Sequence, residues 1–128
     1  MAESKTTILV VDDEEHVRTL LRRILEGAGY AIITASNGRE ALNKLARGNI
    51  GLVLLDIKMP ELDGFQTMAS LRKQFDIPVI LVTGMSDVPS VIDTLPLDVY
   101  DYVAKPFSAP VLLDRIEAKL RLSNRQAS

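Results

Sequence analysis

The amino-acid sequence predicts an α/β fold in which helices cover both faces of a parallel sheet. Short runs of four or five apolar residues alternate along the chain with stretches whose apolar residues recur at helical spacing. The apolar runs contain few polar residues, which is typical of strands buried on both faces under helices. The alternation repeats five times, so we predict five strands and five helices in a doubly wound arrangement.

The first two strand–helix units are defined by apolar runs and by turn residues. Residues 8–11 form the first run, and the helix after it presents one apolar face, made of Val17, Leu20, Leu21, Ile24 and Leu25. Gly27 and Gly29 predict the end of this helix. Residues 31–35 form the second strand, and a short helix follows with its apolar residues at Ala41, Leu42, Leu45 and Ala46.

The third unit contains the most apolar strand of the chain. Residues 52–55 lead directly into Asp56, and Pro60 prevents the strand from continuing. The helix after it is marked by Met68, Leu71 and Phe75 and must end before Pro78.

The last two units follow the same pattern. Residues 79–82 form the fourth strand, and Pro89 and Pro96 limit the helix after it to a short one. The fifth strand spans residues 99–104. Ser108 is the predicted N-cap of a last helix whose inward residues are Leu113, Ile116 and Leu120.

Length and composition indicate a single cytoplasmic domain. The chain has 128 residues, and we place its core at residues 6–122, with residues 123–128 as a polar tail or the start of a linker. A net charge of -2 does not favour direct binding to nucleic acid. The absence of cysteine excludes thiolate sites, and a lone His16 excludes a multi-histidine metal site. No signal peptide and no apolar run of the ~20 residues of a membrane span are present, so we predict no membrane partner.

The topology predicts where a functional site lies. Five parallel strands with right-handed crossovers favour the order 2-1-3-4-5 of flavodoxin-like folds, in which ligands bind at the carboxyl ends of strands 1 and 3. Asp12 and Asp13 follow strand 1, and Asp56 follows strand 3. Thr83 and Lys105 end strands 4 and 5. We therefore expect these five side chains at one edge of the sheet.

The chemistry of this group indicates phosphoryl transfer. Three neighbouring carboxylates repel one another and require a cation, and oxygen ligands without imidazole or thiolate favour Mg²⁺, ahead of Mn²⁺ or Ca²⁺. A hydrated Mg²⁺ can hold a phosphate, and Lys105 and Thr83 suit the remaining phosphoryl oxygens. We predict that Asp56 is a nucleophile that becomes phosphorylated. Taken singly, each of these residues has an ordinary role at a helix start or strand end, and only their joint placement indicates function.

Residues 6–122 resemble the receiver domain of two-component response regulators. The matching stretches are residues 8–14, 54–60, 63–64, 78–84 and 101–107. The resemblance implies a signalling switch rather than an enzyme, with only self-catalysed phosphoryl transfer and slow autodephosphorylation. Asp56 would accept its phosphoryl group from a sensor histidine kinase or a histidine phosphotransfer domain.

The resemblance also implies roles for the metal ligands. Asp13 would bind Mg²⁺ directly, as Asp56 would, while Asp12 would bind it through water and Lys58 through its backbone carbonyl. Mn²⁺ would be an acceptable substitute.

The implied switch connects the phosphoryl group to a surface. Thr83 and Lys105 would contact the phosphoryl oxygens, and the ring of Tyr102 would turn inward as Thr83 moves. The bond between Lys105 and Pro106 would be cis. The face of the fourth helix, fifth strand and fifth helix would then change shape for an output domain or protein, and a weak homodimer is a further partner to consider.

Two other functions remain open from the sequence. A haloacid-dehalogenase-like phosphatase also forms an aspartyl phosphate, but it needs a carboxylate two residues after the nucleophile, where this chain has Lys58. A phosphorylation-independent pseudo-receiver scaffold usually lacks one of the acids, the threonine or the lysine, and none is missing here. Dinucleotide binding is weaker, since no Gly-x-Gly-x-x-Gly pattern follows strand 1.

Overall fold

A computed structural model describes residues 6–56, 77–84 and 101–127 of the chain. Five strands lie in these ranges: β1 (Thr7–Val11), β2 (Ala31–Ala35), β3 (Leu52–Asp56), β4 (Val79–Gly84) and β5 (Asp101–Lys105). Three helices accompany them: α1 (Glu15–Gly27), α2 (Gly38–Ala46) and α3 (Ala109–Ala127). The helices predicted around Met68 and Val91 lie outside the described residues, so those two predictions stay untested.

The five strands form one parallel sheet in the order β2-β1-β3-β4-β5. This confirms the predicted fold class and strand order. β1 and β3 occupy internal positions, and β3 is buried along its whole length, as its apolar composition predicts.

Alternating side chains of the strands divide the core into two layers. On one face, β1, β3, β4 and β5 pack against Leu21 and Leu25 of α1 and against Leu112 and Ile116 of α3. On the other face, alternate residues of the same sheet pack against Ala41 and Leu45 of α2. Helices therefore cover both faces, as the sequence predicts.

Local polar contacts define the starts of α2 and α3. The Asn37 side chain accepts a hydrogen bond from the Glu40 backbone N–H at 2.8 Å, and Glu40 accepts one from the Ser36 backbone N–H at 2.8 Å. This reciprocal arrangement is a variant of the capping box. The Ser108 hydroxyl accepts a bond from the Val111 backbone N–H at 3.3 Å, which confirms Ser108 as an N-cap.

The structure corrects the predicted burial of several helical residues. Leu20 was predicted to face inward but is 50% exposed, whereas its neighbour Leu21 is 1% exposed. In α3, Leu112 is fully buried and Leu113 only partly. Adjacent helical positions are about 100° apart, so one leucine of each pair points more directly at the sheet than the other. Leu113 nevertheless packs against the core, as predicted. Ala46, at the end of α2, is also exposed.

The last helix, α3, continues to Ala127, so the polar residues 123–127 are helical. None of the helices in the described ranges is long and apolar enough to cross a membrane.

Candidate functional site

The strand register brings the predicted site residues to one edge of the sheet. Val11 pairs with Leu55, so Asp12 follows β1 at the level of Asp56, the last residue of β3. Asp56 in turn pairs with Val82 of β4, one residue before Thr83. Thr83 and Gly84 pair with Ala104 and Lys105 of β5. The backbone pairing of the sheet therefore brings Asp12, Asp56, Thr83 and Lys105 to one edge.

Three carboxylates meet at this edge. One oxygen from each of Asp12, Asp13 and Asp56 lies within 4.8 Å of the others. Asp12 and Asp56 are buried, with 1% and 6% exposure, whereas Asp13 is exposed. A set of oxygen donors of this kind, open to solvent on one side, fits a hard divalent cation such as Mg²⁺. The predicted ligand Lys58 lies outside the described residues.

Every polar atom of Asp12 has a partner. Its backbone N–H donates to the Ala35 carbonyl at 3.1 Å, and its carbonyl accepts from the Arg18 guanidinium at 2.6 Å. One carboxylate oxygen accepts from the Glu14 backbone N–H at 2.9 Å, and the other from Lys105 Nζ at 3.1 Å. Asp12 is consequently held in one orientation.

The Lys105 ammonium bridges two of the carboxylates. Its Nζ lies 3.1 Å from Asp12 Oδ2 and 3.5 Å from Asp56 Oδ2. Burial acts to lower the pKa of Lys105, but the charges and hydrogen bonds of Asp12 and Asp56 outweigh it, and the pKa is raised overall. Lys105 therefore remains a cation beside Asp56.

Thr83 and Tyr102 lie on the face of the sheet that carries Leu81. Side chains alternate along a strand, so Thr83 shares a face with Leu81, and Tyr102 packs against the hydrophobic cluster that contains Leu81. Thr83 is 1% exposed, and its hydroxyl has no hydrogen-bond partner among the described residues. Burying a hydroxyl without a hydrogen-bond partner costs free energy. An oxygen atom that accepted a hydrogen bond from Thr83 would remove this cost.

Two further features complete the site. The peptide bond between Lys105 and Pro106 is cis. Arg18, which binds the Asp12 carbonyl, was not predicted from the sequence. The available signal was its position one turn into α1, three residues before Leu21 and seven before Leu25 on the buried side of the helix, and close to the acids that precede it.

Comparisons with known proteins identify the family. A family model described as the response regulator receiver domain matches residues 8–117. A protein named probable transcriptional regulator ycf27, from Guillardia theta, is 44% identical over 125 residues, which cover 98% of this chain and 49% of that protein. The chain thus spans about half the length of the curated relatives it matches.

Solved structures agree with this match. A response regulator receiver domain protein from Clostridium thermocellum superimposes with a TM-score of 0.87 at 28% identity, covering 94% of this chain and 98% of that one. The response regulator TrrA from Thermotoga maritima, solved in complex with Mg²⁺-BeF, gives a TM-score of 0.78 at 38% identity, covering 88% and 97%. These matches give no support to the phosphatase or scaffold alternatives. The chain belongs to the response regulator receiver domains of two-component systems.

Proposed function

We propose that this chain is a cytoplasmic phosphoacceptor switch in which residues 6–122 form one receiver domain and Asp56 accepts the phosphoryl group. The observation that carries the proposal is the Lys105 ammonium between the carboxylates of Asp12 and Asp56. A phosphoryl group arriving at Asp56 adds about two negative charges, and a fixed cation beside the nucleophile offsets them.

The proposed donor is the phosphohistidine of a sensor histidine kinase or of a phosphotransfer domain. A carboxylate oxygen of Asp56 forms the new P–O bond as the P–N bond breaks, and the electron pair of that bond returns to the imidazole nitrogen. The 6% exposure of Asp56 limits access of water to the product. Lys105 orients the transferred group.

Asp12, Asp13 and Asp56 are the residues that would hold Mg²⁺. The ion would neutralise charge on the phosphoryl oxygens. The similarity to TrrA, solved with Mg²⁺-BeF, supports this assignment, and Mn²⁺ would be an acceptable substitute.

We propose that Thr83 and Tyr102 transmit the phosphorylation state of Asp56 to the protein surface. The Thr83 hydroxyl would donate its hydrogen bond to a phosphoryl oxygen, and that movement would free space on the face it shares with Tyr102. Tyr102 also lines a groove of about 400 Å³ between β5 and the start of α3, together with Phe107 and Val111. We propose that this surface reports to an output domain or protein, by analogy with relatives named transcriptional regulators.

Intact mass spectrometry tests the proposal. The protein is incubated with Mg²⁺ and acetyl phosphate, and the same is done with Asp56→Asn and with Asp114→Asn, an exposed acid on α3. One added phosphate in the wild type and in Asp114→Asn, absent from Asp56→Asn, is the expected result. Steady release of phosphate from phosphate esters would instead indicate a phosphatase, and no labelling of the wild type would indicate a scaffold.

A further inference from the structure

Arg18 links the first helix to the turn that carries the acidic residues. Its guanidinium donates a hydrogen bond of 2.6 Å to the backbone carbonyl of Asp12, across six residues. Arg18 is partly buried, and its contact is charge-assisted and short, which is typical of the stronger hydrogen bonds in proteins.

The acceptor of this bond is informative because of its place in the chain. The Asp12 carbonyl belongs to the peptide group that joins Asp12 to Asp13. The other polar atoms of Asp12 are held by Ala35, Glu14 and Lys105. The Arg18 contact therefore fixes the peptide plane from which Asp13 departs.

Asp13 differs from the other two acids in its surroundings. Asp12 and Asp56 are buried at strand ends, whereas Asp13 is exposed and lies beyond the last residue of β1. Sheet pairing therefore does not place its carboxylate, yet this carboxylate lies within 4.8 Å of the other two. The orientation of the turn decides whether the three oxygens can converge on one ion.

We propose that Arg18 is a positioning residue for the divalent-cation site, acting through the Asp12 carbonyl to hold Asp13 in place. This inference rests on the proposed function, since it assumes that the carboxylates bind Mg²⁺. Contacts that orient metal ligands commonly change metal affinity by about 10- to 100-fold when they are removed.

The direction of the change in Mg²⁺ affinity on replacing Arg18 distinguishes a positioning role from a purely electrostatic one. A cation near the site repels Mg²⁺, so if Arg18 acted only through its charge, its removal would tighten Mg²⁺ binding. If Arg18 positions Asp13, its removal weakens binding despite the lost repulsion. A role confined to folding stability would leave the affinity unchanged in the folded variant.

Calorimetric titration of the metal-free protein with MgCl₂ alone tests the proposal. The variants are Arg18→Met, which removes the donor, and Arg18→Lys, which retains a charged donor. Arg22→Met is the matched control, because Arg22 lies one turn further along α1 and pairs with Glu26 at 3.7 Å on the surface. Circular dichroism and urea unfolding establish that each variant is folded.

We expect Arg18→Met to bind Mg²⁺ about 10-fold more weakly, with Arg18→Lys recovering most of the affinity and Arg22→Met unchanged. With acetyl phosphate, Arg18→Met should need more Mg²⁺ for half-maximal labelling while reaching the wild-type rate at saturation. Unchanged or tighter Mg²⁺ binding, or an unfolded Arg18→Met, would overturn the proposal. Failure of the wild type to be labelled would contradict the proposed function itself, separately from any effect of Arg18.

Discussion

Asp12 and Lys105 are 93 positions apart in the chain, and their side chains are joined by a contact of 3.1 Å between Oδ2 and Nζ. Asp12 is 2% exposed at its side chain and Lys105 24%, so the pair is largely shielded from water. The same ammonium lies 3.5 Å from Asp56. One cation therefore offsets the repulsion within a group of three acids.

Replacement of Lys105 should destabilise the protein most strongly when no divalent cation is present. We expect Lys105→Met to lower the free energy of unfolding by about 1–3 kcal/mol at neutral pH in EDTA, because buried carboxylates lose a charged donor. Added Mg²⁺ should reduce the difference, since it neutralises the same carboxylates. Urea unfolding measures both values, and an equal loss with and without Mg²⁺ would argue against a shared site.

The difference in unfolding free energy between the wild type and Lys105→Met should depend on pH. The pKa of Lys105 is raised above its usual 10.5, so its contribution to stability is fully present below that pH and is lost as the pH rises through the folded-state pKa. The gap between wild type and Lys105→Met should therefore narrow only above pH 10.5. Lys44→Met is the control, because Lys44 pairs with Glu40 at 3.9 Å nearer the surface and should show a smaller gap.

Thr83→Val should stabilise the protein while removing its response to phosphorylation. The Thr83 hydroxyl is buried without a hydrogen-bond partner among the described residues, so its replacement by a methyl group of similar shape should raise the free energy of unfolding by about 1 kcal/mol. Asp56 should still be labelled by acetyl phosphate. Thr34→Val is the control, because it makes the same substitution at a partly buried position in β2. A loss of stability in Thr83→Val would show that the Thr83 hydroxyl does have a hydrogen-bond partner.

Tyr30 should control part of the stability at alkaline pH. Burial, with a smaller contribution from the charge of Glu117, raises the pKa of Tyr30 above 10.0. Its contribution is fully present below pH 10.0 and is lost as the pH rises through the folded-state pKa. The wild type should therefore lose stability relative to Tyr30→Phe above pH 10.0, as measured by urea unfolding. Glu117→Gln should reduce the effect, and parallel curves for wild type and Tyr30→Phe would contradict it.

The orientation of α3 can be tested with two neighbouring leucines. Leu112 is fully buried, so Leu112→Ala should cost about 2–5 kcal/mol of unfolding free energy. Leu113 is only partly buried, and Leu113→Ala should cost distinctly less. Chemical denaturation of the two variants measures the difference. Equal losses would contradict the deeper burial of Leu112.

The fold and the core of the site could be predicted because both depend on backbone pairing. Once five apolar runs are taken as parallel strands, the register leaves Asp12, Asp56 and Lys105 at one edge without further information. The residue types at these three positions then indicate the chemistry of the site.

Features that depend on tertiary packing could not be predicted. The apolar patterns of α1 and α3 contain adjacent leucines. Only the docking of each helix decides that Leu21 is buried while Leu20 is exposed, and that Leu112 is buried more deeply than Leu113. The position of Arg18 on α1 does not by itself identify its bond to a backbone carbonyl, because any donor of sufficient length on that turn could form it.

The residues of the site are attached to strands that differ in how easily they separate from the sheet. Asp12 and Asp56 are attached to β1 and β3, which have hydrogen-bonded neighbours on both sides, whereas β5 is the edge strand of the described sheet. Opening an edge breaks fewer hydrogen bonds than opening the centre, so it costs less free energy. Asp56, the proposed nucleophile, is therefore held by an internal strand, whereas Lys105 and Tyr102 belong to an edge strand that costs less free energy to open.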